Sequence, residues 1–395
     1  MPKIRFIDKG KITNKRVLLR ADFDVPLTGK LTIANDFRIR QNIPTIKTLL
    51  KNHNRLICIA KLGRPKEKDA RLSLKIVTKR LQKYLPGIKI RLVSDFLNEP
   101  RENFTHQDKN EIIVLENIRF YPQEKRNERE FAERLSQLGD VYVNDGFAMC
   151  HRAESSIVGI PEFLPSYGGL QLKREIAMIQ QATTKPRKPL VAIIGGAKIS
   201  TKIALIRHLI EIANYVLLGG GLANVFFRAQ RYLIGRSICE YEMTQKARQL
   251  MYFAAQKNTA IILPSDVLIG DPKDIKRKPQ VIQAGQKFPR DLSILDIGPD
   301  SQKRFAEIIT GAKTIIWNGP VGLVENPAFR SGTNAIYTAI TKNNKAVSVV
   351  GGGDTLRAIE GKPNFDKITH VSTGGGAMLE LIENGTLPGI EALKH

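Results

Sequence analysis

The sequence predicts an α/β protein made of two doubly wound, parallel-sheet (Rossmann-like) domains joined by a hinge helix. Three observations carry that expectation. Short Val/Ile/Leu runs alternate with longer amphipathic stretches from end to end. Such runs suit strands buried on both faces, and helices between them imply parallel crossovers. The 395 residues exceed one ordinary domain of ~150. Near the middle, a helical stripe of Leu172, Ile176 and Ile179 leads into TTKPRKP at 183–189, a polar loop ending in proline.

Taken in order, the runs fall at 17–19, 56–60, 112–115 and 141–143 in the first half. In the second they fall at 190–194, 216–218, 260–263, 314–317 and 346–350. The expected division is an N-terminal domain over 1–168, a connecting helix over 169–182 and a C-terminal domain over 183–378. Two hydrophilic stretches, 98–110 and 271–287, read as surface excursions.

Composition narrows the function classes. With 42% hydrophobic and 25% charged residues the chain is globular rather than disordered. Cys58, Cys150 and Cys239 are far apart and form no CxxC pair, which argues against a disulfide framework or a cysteine-based zinc site and fits a reducing cytoplasm. Residues 1–8 lack the apolar core of a signal peptide, and no apolar run approaches the ~18 residues needed to span a bilayer. A cytoplasmic protein with no membrane partner is expected. The net charge of +24 favours anionic ligands. Lys and Arg are nonetheless spread along the whole length without interleaved aromatics, so no specific nucleic-acid partner is expected.

Ligands of open α/β sheets sit at the carboxyl ends of the strands, so the residues just after each run are the informative ones. In the first half these positions repeatedly supply arginine, in RADFD at 20–24, in NDFRIR at 35–40 a little further on, in AKLGRP at 60–65, in ENIR at 116–119 and in NDGFAMCHR at 144–152. Guanidinium groups bind phosphate and carboxylate through paired planar hydrogen bonds. Any one of them suits a basic surface, but recurrence after successive strands argues for a pocket for a small, multiply charged anion.

The second half supplies glycine instead: GGAK at 195–198, GGG at 219–221, GGGDT at 351–355 and GGGA at 374–377. Glycine lets backbone amides approach a ligand, and the helix amino terminus behind it favours negative charge. Four such turns in one domain argue for a nucleotide phosphate chain. Neither GxxxxGK[ST] nor GxGxxG is present, which disfavours a P-loop ATPase and a typical NAD-dependent dehydrogenase. Lys198 is placed to balance phosphate charge. Asp354 is placed to hold Mg²⁺ through a hard oxygen ligand, and equally to cap a helix.

These segments, in this order, resemble the phosphoglycerate kinase family nearly end to end. The resemblance rests on VLLRADFDVPL (17–27), DFRIRQNIPTI (36–46), LGRPK (62–66), LENIRFYP (115–122), GDVYVNDGFAMCHRAESSIVG (139–159), GGAKISTKI (195–203), DIGP (296–299), IWNGPVG (316–322), VVGGGDT (349–355) and VSTGGGA (371–377). It implies phosphoglycerate on the first lobe, nucleotide on the second, closure of the two, a monomer, and a segment 379–395 that returns to the first lobe. The implied reaction is reversible, Mg²⁺-dependent transfer from 1,3-bisphosphoglycerate to ADP, giving 3-phosphoglycerate and ATP.

By the same resemblance Asp22, Asp24, Arg38, Lys61, Arg64, Arg119 and Arg152 contact the phosphoglycerate moiety. Arg38 and Lys198 are the catalytic cations. Gly196, Lys198, Lys202, Gly219, Gly220, Gly221, Asn318, Pro320, Glu325, Gly353, Asp354 and Thr355 form the nucleotide site, with Asp354 holding the metal. Four positions depart from the family pattern. Asp24 stands where asparagine is usual, Lys61 where histidine is usual before LGRP, Thr201 for the aspartate of GGAKxxDK, and Glu154 for the second histidine of HRAH. The departures bear on ligand affinity more than on reaction type. Two alternatives are a degenerate relative that binds without efficient turnover and a secondary nucleic-acid binder drawn by the charge.

Overall fold

Each of those apolar runs forms a strand in the computed structural model, which describes residues 3–8, 12–274 and 278–394. The first half contains β1 (Arg16–Arg20), β2 (Arg55–Ile59), β3 (Lys89–Val93), β4 (Glu111–Leu115), β5 (Val141–Asn144) and β6 (Ser166–Gly168). Among the described residues these form one parallel sheet in the order β3-β4-β2-β1-β5-β6. β1 lies at its centre with Val17, Leu18 and Leu19 fully buried, which is why its sequence is apolar on both faces. β3 went unread in the sequence because KIRLV is a half-exposed edge strand with no continuous apolar run.

The second half contains β7 (Leu190–Ile194), β8 (Tyr215–Leu218), β9 (Ala260–Ile262), β10 (Asp266–Gly270), β11 (Gln280–Gln283), β12 (Ser293–Ile297), β13 (Thr314–Asn318), β14 (Val347–Gly351) and β15 (His370–Val371). Its parallel sheet runs β15-β14-β13-β7-β8-β9. Strand order reverses on either side of β7, so the switch point where open α/β sheets bind ligands lies between β7 and β13. A smaller antiparallel sheet, β11-β10-β12, was not foreseen. Its strand β11 falls in the hydrophilic stretch 271–287, because an edge strand with three of four residues exposed has no apolar signature. Residues 275–277 of that stretch lie outside the described residues.

The chain divides into two compact units, residues 1–177 with 386–395, and 178–385. The expected boundaries were 168/169, 182/183 and 378/379; the observed ones are 177/178, within the helix Leu170–Thr183, and 385/386. That helix begins in the first unit because Asp145 Oδ1 accepts from Gln171 N (2.9 Å) and Leu172 N (3.1 Å). Residues 386–395 belong to the first unit because Gly389 N donates to Cys150 O at 2.8 Å and Lys394 bridges Ile4. No helix among the described residues is long and apolar enough to cross a membrane.

Candidate functional site

In the first unit, register sets the site. Arg20 pairs with Ile59 and with Asn144, so the segments after β1, β2 and β5 leave the sheet at one level. Asp22 and Asp24 come just after β1, and Lys61 just after β2. Arg38 sits in the first turn of the helix Phe37–Lys51, anchored at its entrance by Asp36, whose carboxylate takes Arg80 (2.7 Å), Arg40 (2.9 Å) and Tyr84 (2.5 Å).

Asp22, Asp24, Arg38 and Lys61 form one connected cluster. Arg38 Nη1 donates to Asp24 O at 3.1 Å and lies 3.4 Å from Asp24 Oδ2 and 3.6 Å from Asp22 Oδ1. Lys61 Nζ is ion-paired with Asp24 Oδ2, and Gly63 N donates to Asp24 Oδ1 at 2.8 Å. Burial opposes the charge on Asp24, but Lys61, Arg38 and the Gly63 amide outweigh it and hold the carboxyl below its usual range. For Asp22 burial wins and pushes the carboxyl up. Burial likewise lowers the Lys61 ammonium, against the pull of Asp24.

Arg119 lies apart from that cluster in its hydrogen bonding. Its Nη2 donates to Glu154 Oε1 at 2.6 Å, and both side chains are buried. Arg119 still acts electrostatically on Lys61 and on His151, so it shares their neighbourhood. Arg64 and Arg152 are exposed on the turns after β2 and β5. Four buried polar atoms here, Asp22 Oδ2, Arg119 Nε, His151 Nδ1 and Glu154 Oε2, have no protein partner. Buried polar atoms rarely lack partners, and a polar ligand or water bound at this end of the sheet would satisfy them.

In the second unit the glycine turns meet at the switch point. Ile194 and Asn318 are in register at the ends of β7 and β13. Gly195 N then donates to Asn318 O (2.9 Å), Gly196 N to Pro320 O (2.8 Å) and Gly220 N to Val321 O (2.9 Å). At Gly195 a Cβ would collide with the Pro320 carbonyl oxygen, so no other residue permits this approach. Gly352, with φ +103°, turns the chain after β14 so that Gly353–Ile359 begins as a helix with Asp354 in its first turn.

A cavity of about 380 Å³ opens beside these turns, within the range that holds a small ligand. Of the expected nucleotide residues Gly196, Gly220, Gly221, Pro320, Glu325 and Asp354 line it. Asn318, Thr355 and Lys202 instead lie behind the turns as braces. Thr355 Oγ1 accepts from Gly319 N at 2.7 Å, and Asn318 Nδ2 donates to Gly351 O at 3.1 Å. Lys202 Nζ donates to Gly195 O (2.7 Å) and Asn318 Oδ1 (2.8 Å), which occupies two of its three donors. Burial pushes the Lys202 ammonium down to about 8, with Asp354 opposing the shift. Gly219 packs against Val321, Gly353 is open, and Lys198 is exposed on the turn between β7 and the helix Ile203–Ile212.

The apolar wall was missed in the sequence: Ala223, Phe227, Ile294, Val321 and Leu323 face the cavity. Their only signal was adjacency to the glycine turns, since an apolar residue lining a cavity reads like one in a core. Asp296 of the DIGP segment also lines it, its carboxylate accepting from Gly332 N (2.9 Å) and Ser331 Oγ (3.0 Å) while burial pushes it up to about 6.

A cationic strand edge in one unit and a glycine-edged cavity in the other are features that comparison with known proteins brings under one family. The family model described as phosphoglycerate kinase matches residues 7–385. The chain belongs to the phosphoglycerate kinase family. It is 42% identical over 385 residues to the phosphoglycerate kinase of Dictyoglomus turgidum, covering 97% of this chain and 96% of that one. To the phosphoglycerate kinase of Koribacter versatilis it is 40% identical over 393 residues, covering 98% of both. The solved structure of phosphoglycerate kinase from Coxiella burnetii matches with a TM-score of 0.87 at 37% identity, covering 99% of each chain. The chain is thus a phosphotransferase of glycolysis whose nucleotide substrates are ADP and ATP.

Proposed function

We propose that the first unit binds the phosphoglycerate moiety through Asp22, Asp24, Arg38, Lys61, Arg64, Arg119 and Arg152. In the same reading the second unit binds the nucleotide on its glycine turns, and the chain transfers phosphoryl reversibly between 1,3-bisphosphoglycerate and ADP. One observation supports this most. The cavity at the β7–β13 switch point has an apolar wall suited to a base, glycine turns at its edge, and a carboxylate beside them.

The residues fit a magnesium ion. Asp354 is an exposed carboxylate on the cavity wall, ion-paired at the surface with Arg357. Among the described residues no cluster of three or more acidic, His or Cys side chains forms an all-protein cage. A single carboxylate beside nucleotide phosphates is how Mg²⁺ is commonly held, and the ion then neutralises charge on the phosphate oxygens.

The transfer needs alignment and charge compensation more than covalent help. The ADP phosphate oxygen is its own nucleophile in the forward direction, so no protein nucleophile is required. Arg38, tethered to Asp24 O, faces the transferring group with a guanidinium whose other nitrogens remain for oxygens. Lys198 compensates phosphate charge from the turn after β7, while Lys202 keeps that turn and the β13 turn together. Location in the cytoplasm, expected from the cysteine usage, belongs to the same reading, and the monomeric state rests on the resemblance alone.

The test is acyl-phosphate formation from ATP and 3-phosphoglycerate, followed through a coupled dehydrogenase with and without Mg²⁺. Activity that needs Mg²⁺, and needs more of it in Asp354→Ala, supports the reading. Nucleotide binding without turnover in the folded chain overturns it in favour of a degenerate relative.

A further inference from the structure

The turn that carries Lys198 is held from outside by a side chain 41 residues further along the chain. Glu240 Oε2 accepts from Ile199 N at 2.6 Å and from Ser200 N at 3.0 Å, and Glu240 Oε1 accepts from Ser200 Oγ. Within the turn, Thr201 Oγ1 donates to Lys198 O at 3.3 Å and Lys202 N to Ile199 O at 2.8 Å. The two amides that Glu240 takes lie just before the helix Ile203–Ile212, which has no side-chain cap of its own. Glu240 holds both amides from another segment through charge-assisted hydrogen bonds. The bonds to Ser200 and Ile199, helped by the nearby Lys198 charge, hold the Glu240 carboxyl below its usual range against burial.

The start of the turn is fastened separately, by Lys202 Nζ on Gly195 O and by Gly196 N on Pro320 O. Ala197, Lys198, Ser200 and Thr201 are exposed, and only Ile199 is anchored in the interior. A lysine head on four rotatable carbons is a poorly directed charge unless the backbone beneath it is rigid.

We infer that Glu240 is a positioning residue for Lys198, locking peptides 199 and 200 so that the Lys198 ammonium is presented to the nucleotide phosphates. This rests on the proposed role of Lys198. Misplacement of a charged group by about 1 Å costs on the order of 10²-fold in rate, so an unfastened turn has a kinetic signature.

The experiment is steady-state kinetics of the full chain with Mg-ATP and 3-phosphoglycerate for Glu240→Ala, Glu240→Gln, Lys198→Ala and the double variant Lys198→Ala/Glu240→Ala. Glu240→Ala is expected to lower kcat/KM for Mg-ATP by roughly 10- to 100-fold while KM for 3-phosphoglycerate stays within about twofold. Glu240→Gln recovers part of the loss, because its amide oxygen still accepts from the two backbone amides. In the Lys198→Ala background, removing Glu240 adds nothing further. Unchanged nucleotide kinetics in Glu240→Ala, a rise in KM for 3-phosphoglycerate matching that for Mg-ATP, or a full additional loss in the double variant overturns the inference. Unchanged kinetics in Lys198→Ala overturns the Lys198 reading itself, and the inference with it. Should Glu240→Ala fail to fold, Glu240→Gln decides between the same outcomes.

Discussion

Lys61 and Asp24, the two departures from the family pattern nearest the ends of β1 and β2, are ion-paired with each other. The Lys61 side chain is 8% exposed and that of Asp24 24%, so the pair is well shielded from solvent. Removing one partner leaves a buried charge uncompensated, whereas removing both does not. Asp24→Asn and Lys61→His are therefore each expected to destabilise the chain, and the double variant to cost less than their sum. The coupling expected is roughly 1–3 kcal/mol, read by denaturant unfolding in a double-mutant cycle.

The same pair has a pH signature. The Asp24 carboxyl is held below its usual value, so its contribution is fully present above the unfolded carboxyl value of about 4. It is lost as pH falls through the lower folded value. Wild type should lose more stability than Asp24→Asn on acidification below about pH 4, and unfolding curves at stepped pH will show it.

Arg38 is the guanidinium placed against both site carboxylates. Arg38→Ala should lower kcat by roughly 10²–10³-fold, the cost of losing one preorganised donor to the transition state. KM for ATP should hardly move, because Arg38 lies in the unit that does not carry the cavity proposed for the nucleotide. Steady-state kinetics with each substrate varied in turn will separate the two effects.

Asp354→Ala should raise the Mg²⁺ concentration needed for half-maximal activity by at least about 10-fold, since removing even an outer partner of a metal ligand costs 10–100-fold. A Mg²⁺ titration at saturating substrates measures it. Arg357→Ala, which frees Asp354 from its exposed ion pair, should shift the same curve the opposite way.

Lys202 is lowered by burial to about 8, below the usual lysine value. The unfolded chain then binds this proton more readily than the folded one between about pH 8 and the usual value near 10.4. Across that window stability rises with pH on account of Lys202. Wild type should gain on Lys202→Met as pH climbs, and chemical denaturation at stepped alkaline pH checks the sign.

Residues 190–194 and 314–317 were legible as strands because burial on both faces leaves a continuous apolar run, a signal within four or five neighbours. The glycine turns were equally legible, since Gly195 and Gly352 answer to local sterics. β3 and β11 were not, because an edge strand needs no apolar run, and the sheet β11-β10-β12 went unseen with them.

By itself the sequence determined that two parallel α/β sheets form, that one strand edge carries cations and the other glycines, and that the chain resembles one kinase family. Tertiary structure alone decided the partners: that Asp24 meets Lys61, that Glu154 takes Arg119, that Lys202 braces two turns, and that Glu240 fastens the turn of Lys198. Strand formation and glycine turns depend on stereochemistry between near neighbours, which the order of residues displays. Polar pairing across 35 to 116 positions depends on which strands lie side by side, and that emerges only when the chain has folded.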